Sequence, residues 1–106
     1  LSRVFSELEG RFVRGSIKSP LSYYFSLGSE RWTVRVNEDS CRVQPGKTVD
    51  VADCVLKTSP SMFTRIVRDA YSPSPLEFMS GQVKSNNIQL LMTFQKVFQL
   101  VPSARG

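Results

Sequence analysis

The segment from Ile88 to Val101 is a helix-length stretch of mostly apolar residues that carries one charge, Lys96. At about 100° per residue, most of its apolar side chains fall in one sector of roughly 120°, wide enough to dock on a sheet. That sector holds Leu90, Leu91, Phe94, Val97, Phe98 and Val101. Ile88 and Met92 fall outside it, and Leu100 lies on the other flank. The surplus predicts that a second surface of this helix meets another helix, a partner chain or a ligand.

Two earlier segments also show the spacing of amphipathic helices. Apolar residues at i, i+3, i+4 and i+7 within residues 1–8 predict a first helix that ends near Gly10. Ser59 and Pro60 form an N-cap and first-turn pair, and the apolar stripe over residues 62–70 predicts the helix that follows. One or two further helical turns are expected after the Ser-Pro-Ser-Pro run.

Between the first two helices, the apolar pattern changes to the period of two that is typical of half-buried strands. Gly28 supplies a residue for a tight hairpin turn between the first two strands. The predicted strands cover residues 21–27, residues 32–37, a short stretch with Cys41 and Val43, residues 49–57 and residues 82–85. The pattern therefore predicts a sheet with helices on either side of it in the sequence.

The length of 106 residues predicts a single domain over residues 1–106. The chain begins with Leu1 rather than Met, as is expected of a domain taken from a longer protein. Its longest uncharged apolar-rich run, residues 88–95, is far shorter than the roughly 18 residues that a membrane-spanning helix needs.

The residue types disfavour an enzyme. The chain has no histidine, which removes the common nucleophile-activating base and His-containing metal sites, so we expect no catalytic residue, metal or cofactor. Asp50 and Asp53 are three apart on a predicted strand and point to opposite faces, so we interpret them as surface charges. Two cysteines, Cys41 and Cys54, without a paired motif fit buried thiols in a reducing, cytoplasmic compartment.

The net charge of +5 comes from dispersed basic residues, with no run of three and no interleaved aromatic stripe. Nucleic acid is therefore not an expected partner. A solvated surface is the favoured interpretation, and a transient attraction to anionic membrane surfaces is the alternative.

The segment ADCVLKTSPSMFTRIVRDAYSPSPLEFMSGQVKSNNIQLLMTFQKVF resembles the sterol-carrier-protein, or non-specific lipid-transfer-protein, domain family. The matching pieces are the acidic strand start Ala52-Asp53, the helix Thr58–Val67, the Gly-centred stretch Pro75–Lys84 and the last helix Ile88–Phe98. Asn86-Asn87 and Gln82 depart from the family pattern, and neither departure touches the apolar pattern.

This resemblance implies an α+β fold, with a five-stranded, largely antiparallel sheet covered on one face by helices. It also implies an internal apolar tunnel for a fatty acid, a fatty acyl-CoA or a sterol-like ligand. Under this hypothesis, the ligand-binding wall comprises Phe63, Ile66, Val67, Phe78, Met79, Leu91, Phe94 and Phe98. The flexible side chains of Met62, Met79 and Met92 suit varied apolar ligands, and Arg65 and Arg68 are candidates for holding an acidic head group.

The alternative hypothesis is an interaction module. The same apolar surplus on the last helix would then pack against a second copy of the chain or against a neighbouring domain of a parent protein.

Overall fold

The computed structural model describes residues 2–100. Its helices are α1 (Ser2–Gly10), α2 (Pro60–Arg68), α3 (Pro75–Met79) and α4 (Ile88–Val97). Its strands are β1 (Leu21–Leu27), β2 (Glu30–Val36), β3 (Cys41–Pro45), β4 (Cys54–Thr58) and β5 (Lys84–Ser85). Leu1 and Val101, which the sequence pattern assigns to the first and last helices, lie outside the described residues.

The five strands form one sheet in the order β3-β2-β1-β4-β5. The pairs β1–β2, β2–β3 and β4–β5 are antiparallel, and β1–β4 is parallel. On β1, Tyr23, Phe25 and Leu27 are buried on the face that the helices cover, whereas Arg35 and Arg42 on β2 and β3 are exposed on the other face. The predicted α+β fold, with its largely antiparallel sheet, is therefore confirmed.

Phe25, near the centre of the sheet, is the focus of the core. Its ring centroid lies 5.8 Å from Phe5 of α1, 5.1 Å from Phe63 of α2 and 5.2 Å from Phe94 of α4. Tilted aromatic pairs at these separations add stability beyond the burial of their area. One ring from each of three helices therefore fastens the helical layer to the same strand residue.

The β1–β2 hairpin depends on Gly28. Leu27 pairs with Glu30, which leaves a two-residue loop, and Gly28 has a φ of 62°. The left-handed region is costly for residues with a Cβ, and a Cβ at this position would also lie 3.2 Å from the ring of Pro60. The glycine that the sequence assigned to this turn is therefore required by both its backbone angle and its neighbour.

Two elements are shorter than the sequence pattern predicts because the backbone turns. The predicted stripe of α2 extends to Ala70, but α2 ends at Arg68 and Ala70 has a φ of 52°. The predicted last helix runs past Phe98, whereas α4 ends at Val97 and Gln99 has a φ of 57°. Left-handed residues terminate helices, and neither position is a glycine that would have signalled the end in the sequence.

Strand β4 begins at Cys54 rather than at residue 49, and the preceding Val51 is 87% exposed. The carboxylate of Asp53 accepts hydrogen bonds from the backbone N–H and the hydroxyl of Ser22, at 2.8 and 3.2 Å. Asp53 is exposed, as predicted for a surface charge, but it also ties the start of β4 to β1. Strand β5 is likewise shorter than predicted and begins at Lys84 rather than residue 82.

Candidate functional site

An apolar groove of about 550 Å³ lies between α3 and α4. Its volume is within the range of roughly 300–1,000 Å³ that is usual for small-molecule sites. The groove is open to solvent, because Met79, Ile88 and Met92 are 81%, 45% and 54% exposed. Its walls are formed by Ser72, Pro73, Pro75, Phe78, Met79, Ile88, Leu91, Met92 and Gln95.

Helix α4 supplies one wall of the groove through a single stripe of residues. Ile88, Leu91, Met92 and Gln95 stand at i, i+3, i+4 and i+7 and therefore share one side of the helix. The side chain of Asn87 begins the helix by accepting a hydrogen bond from the N–H of Leu90 at 3.0 Å. Because Leu91 is 4% exposed, the groove stripe and the core-facing stripe meet at this residue. Ile88 and Met92, two of the three apolar residues outside the docking sector, therefore face the groove, whereas Leu100 lies in the buried core.

Helix α3 supplies the opposite wall, and side-chain hydrogen bonds hold this five-residue helix in place. Ser74 and Glu77 form a capping box, in which the N–H of Ser74 donates to the Glu77 carboxylate at 2.8 Å. The hydroxyl of Tyr71 donates to the same carboxylate. The guanidinium of Arg65 lies 4.0 Å from the centre of the Tyr71 ring. Helix α2 therefore positions α3 through Tyr71 and Glu77.

The hydrogen bond from Tyr71 to Glu77 shifts the pKa of both groups. The hydrogen bond from Tyr71 and the backbone N–H of Ser74 hold the pKa of Glu77 below its ordinary value. The same bond to Glu77 raises the pKa of the Tyr71 phenol. At neutral pH the carboxylate is therefore ionised and the phenol protonated, which are the states that this contact requires.

Gln95 and Ser72 give the groove a polar end that the sequence analysis did not assign. Gln95 is 7% exposed, and its Nε2 donates to the hydroxyl of Ser72 at 3.3 Å. The available signal was its position seven residues after Ile88, on the otherwise apolar stripe. Apolar sites commonly use a few such polar groups to orient a ligand.

Three of the residues predicted to form a ligand-binding wall, Phe78, Met79 and Leu91, line the groove. The other five lie between the helices and the sheet, none more than 1% exposed, and do not line the groove. These five are Phe63, Ile66, Val67, Phe94 and Phe98. The rings of Phe94 and Phe98 are 5.0 Å apart and belong to the same buried cluster as Phe25. The structure thus divides the predicted wall between the groove and the packed core.

The two arginines considered for a head group contact other side chains. Arg68 forms a salt bridge of 2.8 Å with Glu7, which joins α2 to α1. Arg65 stacks on Tyr71, as described above. Neither lines the groove. Both arginines hold helices together in this structure.

Cys41 and Cys54 are free thiols. Burial raises the pKa of both thiols. At neutral pH they therefore stay protonated, the form that is the poor nucleophile. Over residues 2–100, no helix is long and apolar enough to cross a membrane.

A five-stranded mixed sheet with helices on one face is the α+β architecture that the sequence resemblance implied. The chain matches the model of the SCP-2 sterol transfer family over residues 4–99. It belongs to this family, which confirms the resemblance seen in the sequence.

Solved structures extend the likeness of fold. A double mutant of the sec-alkyl sulfatase PisA1 is similar with a TM-score of 0.78 and 14% identity, over 92% of this chain and 16% of that one. A crystal structure of sterol carrier protein 2 gives 0.60 and 11%, over 92% of each chain. Palmitated SCP2L2 from Aedes aegypti gives 0.59 and 11%, over 92% of this chain and 93% of that one. The chain thus spans about one-sixth of the sulfatase and nearly all of the two carrier proteins. No curated protein sequence matches it.

Proposed function

We propose that this domain binds an apolar lipid ligand, such as a fatty acid, a fatty acyl-CoA or a sterol-like molecule, without catalysis. The observation that carries the proposal is the groove between α3 and α4, whose apolar walls include the exposed side chains of Met79, Ile88 and Met92. Large apolar side chains that lie exposed next to one another on a small domain usually mark a site for a ligand or partner. Membership of a sterol transfer family favours the ligand.

The energetics support binding of moderate affinity. Burying about 300–400 Å² of ligand apolar surface contributes on the order of 8–10 kcal/mol gross, at about 25 cal/mol per Å². Association and ordering offset part of this gain. An acyl chain in an open groove keeps one side in water. We therefore expect micromolar dissociation constants, weaker than those of fully enclosed ligands.

Within the groove, each type of residue has a proposed role. Phe78 and Leu91 form the apolar walls, while Met79 and Met92 adapt to ligands of different shape because their thioether chains are flexible. The amide of Gln95 lies at the polar end and orients a carboxyl, hydroxyl or thioester group. Among residues 2–100, none that lines the groove is ionisable, which fits binding rather than chemistry.

The five core residues of the predicted wall have a different relation to this ligand. Phe63, Phe94 and Phe98 would contact a lipid only if α4 moved away from the sheet and opened the core. We therefore propose the groove, with Phe78, Met79 and Leu91, as the ligand site. The interior tunnel stays a prediction that the experiments below distinguish from the groove.

Titration with a fluorescent fatty acid tests the proposal. We expect saturable binding that an unlabelled fatty acid displaces, with a dissociation constant below about 100 μM. Met92→Glu places a carboxylate on the groove wall at a position that is 54% exposed, so the fold should tolerate it. We expect this variant to weaken binding by tenfold or more, because the ligand would desolvate the charge.

Gln89→Glu is the matched control, since it adds the same charge to the same helix at an exposed position that does not line the groove. Its affinity should equal that of the unchanged chain. Equal binding by Met92→Glu and Gln89→Glu would place the ligand elsewhere, as in the interior tunnel. No displaceable binding by the unchanged chain below about 100 μM would refute the lipid-binding proposal.

A second candidate function is an interaction module. The observations that favour it are the exposure of Leu76, at 73%, beside the groove and the similarity to a region of the much longer alkyl sulfatase chain. Light scattering after size exclusion separates the two candidates. A stable dimer that binds no fatty acid supports the interaction module, and a monomer that binds fatty acid supports the carrier.

The expected compartment is reducing, as in the cytoplasm. Cys41 and Cys54 are both free thiols, which fits a reducing compartment. We therefore expect the domain to fold without oxidation of either thiol.

A further inference from the structure

A row of cationic side chains crosses one end of the sheet, on the face opposite to the described helices. Ser26 on β1 pairs with both Arg31 on β2 and Lys57 on β4, and Lys57 pairs in turn with Lys84 on β5. Residues paired in this way point to the same face and are direct neighbours across the strands. Together with Ser59, these four residues line a concavity of about 460 Å³.

The positive charge of this row is not balanced locally. Lys57 and Lys84 lie directly opposite each other on neighbouring strands. Like charges in such positions repel each other and destabilise the sheet. Within the described part of the chain, none of the residues that line the concavity is acidic. The two salt bridges found over residues 2–100 join Arg14 to Asp39 and Arg68 to Glu7, so neither uses this row. An arrangement of this kind suits an anion, whose charge would offset the repulsion.

The cationic row lies beside exposed apolar residues. Leu76 and Met79, three apart on α3, are 73% and 81% exposed. Gly81, two residues after Met79, lines the cationic concavity. A Cβ placed on Gly81 would lie 3.5 Å from Cε of Lys84. The end of α3 and the cationic row are therefore parts of one edge of the domain, which we name the docking edge.

We propose that the docking edge binds the surface of an anionic lipid bilayer. The row of Arg31, Lys57 and Lys84 contacts the phosphate groups of the lipids, and Leu76 and Met79 enter the boundary between head groups and acyl chains. Interfacial proteins combine basic and apolar side chains in this way. A free phosphate would use the cations and leave Leu76 without a role, so the combination favours the bilayer.

This inference rests on the proposed lipid-binding function, because it explains how a ligand reaches the groove. Met79 belongs to both the docking edge and the groove wall. Docking would therefore place the mouth of the groove against the acyl chains, and a lipid could enter without crossing water.

Co-sedimentation with vesicles of phosphatidylcholine, with and without phosphatidylserine, tests the charge contribution. We expect binding only to the vesicles with phosphatidylserine, and it should weaken as salt is added. A lysine near an anionic surface strengthens binding by about fivefold, so Lys57→Gln/Lys84→Gln should weaken it by roughly 25-fold.

Arg14→Gln/Arg42→Gln is the matched control because it removes the same charge from the opposite end of the sheet. Arg42 pairs with Arg35, which pairs with Ser22, four residues before Ser26 on β1, and Arg14 forms a salt bridge with Asp39 in the turn before β3. Along the strand this separation is roughly 13 Å, which exceeds the screening length of about 8 Å in physiological salt. We expect the control to lose less than about threefold of the affinity. An equal loss in both variants would overturn the docking edge and indicate attraction by net charge alone.

Leu76→Gln tests the apolar contribution without changing a residue that lines the groove. Inserting part of a leucine side chain strengthens binding by about tenfold, and this variant should lose that factor. Val51→Gln is its control, since Val51 is 87% exposed near the start of β4, at the other end of the sheet. If vesicle binding is unchanged in Leu76→Gln but millimolar inorganic phosphate abolishes it, the site takes a phosphate ion and the docking proposal is wrong.

Fatty-acid titration without vesicles separates this inference from the function on which it rests. A chain that binds the fatty acid but not the anionic vesicles refutes the docking edge alone. A chain that binds the vesicles but not the fatty acid refutes the groove and leaves a membrane-binding domain.

Discussion

Replacing Phe94 tests whether the centre of the domain is a closed core or the wall of an open tunnel. The Phe94 side chain is fully buried, and its ring centroid lies 5.2 Å from Tyr23, 5.2 Å from Phe25 and 5.0 Å from Phe98. If the core is packed as these distances indicate, removal of the ring must leave a void or force its neighbours to move.

The expected loss follows from these contacts. Phe94→Leu keeps most of the apolar volume but loses three aromatic pairs at about 0.5–1.5 kcal/mol each, which together give about 1.5–4.5 kcal/mol. Phe94→Ala also creates a cavity, so we expect a loss of about 3–5 kcal/mol. A domain of this size has roughly 5–15 kcal/mol of stability, so the leucine variant should remain folded for measurement.

Urea denaturation followed by the fluorescence of Trp32 measures these free energies of unfolding. Trp32 is the one tryptophan of the chain, and its ring stacks on Phe5 at 4.4 Å, within the same core. Met92→Ala, on the same helix but 54% exposed, is the control and should change stability by no more than about 0.5 kcal/mol. If Phe94→Leu were no more destabilising than Met92→Ala, the ring would border empty space, and the closed-core interpretation would be wrong.

Two further predictions concern the turn and the support of α3. Gly28→Ala should lower the free energy of unfolding by about 1–2 kcal/mol or more, because it combines a left-handed φ with crowding against Pro60; Ser29→Ala, in the same loop, should have little effect in the same urea titration. The lowered pKa of Glu77 means that its contribution to stability is complete above the ordinary glutamate pKa of about 4.3 and is lost as pH falls through the lower folded value. Fatty-acid binding should therefore weaken in acid for the unchanged chain more than for Glu77→Gln, whose amide oxygen remains an acceptor; an identical acid response would mean that Glu77 does not support the groove.

Local patterns in the sequence predicted the elements well where each signal is carried by adjacent residues. The predicted N-cap Ser59 accepts the expected N–H bond from Met62. The hairpin glycine has the positive φ that its turn requires. Such features depend on a few neighbouring residues, so single-sequence reasoning reaches them.

The ends of elements were harder to predict because they depend on distant partners. Strand β4 starts where it can pair with β1, and the hydrogen bonds that Ser22 donates to the Asp53 carboxylate join residues 31 apart in the sequence. Ala70 and Gln99 end their helices without glycine, so no local residue type marked those positions.

The candidate site was likewise only partly predictable from the sequence. The sequence showed that α4 has more apolar surface than one docking seam needs, and Ile88 and Met92 are indeed exposed beside a groove. Its docking sector placed Phe94 and Phe98 against the sheet, where they fill the core. It did not show that Leu91 of the same sector borders the groove, nor that Gln95 is buried beside Ser72. Those outcomes depend on how α4 is rotated on the sheet and where α3 lies.

By itself, the sequence determined the order of helices and strands, their apolar faces and the family to which the chain belongs. Only the tertiary structure decided which apolar side chains are enclosed and which stay open. Helical periodicity places residues on the sides of a helix, but long-range contacts set the orientation of that helix. One such contact is the hydrogen bond of 2.8 Å from the Tyr23 hydroxyl to the carbonyl of Leu90. Because this bond and the aromatic packing beneath α4 join residues far apart in the chain, the groove is a property of the folded molecule.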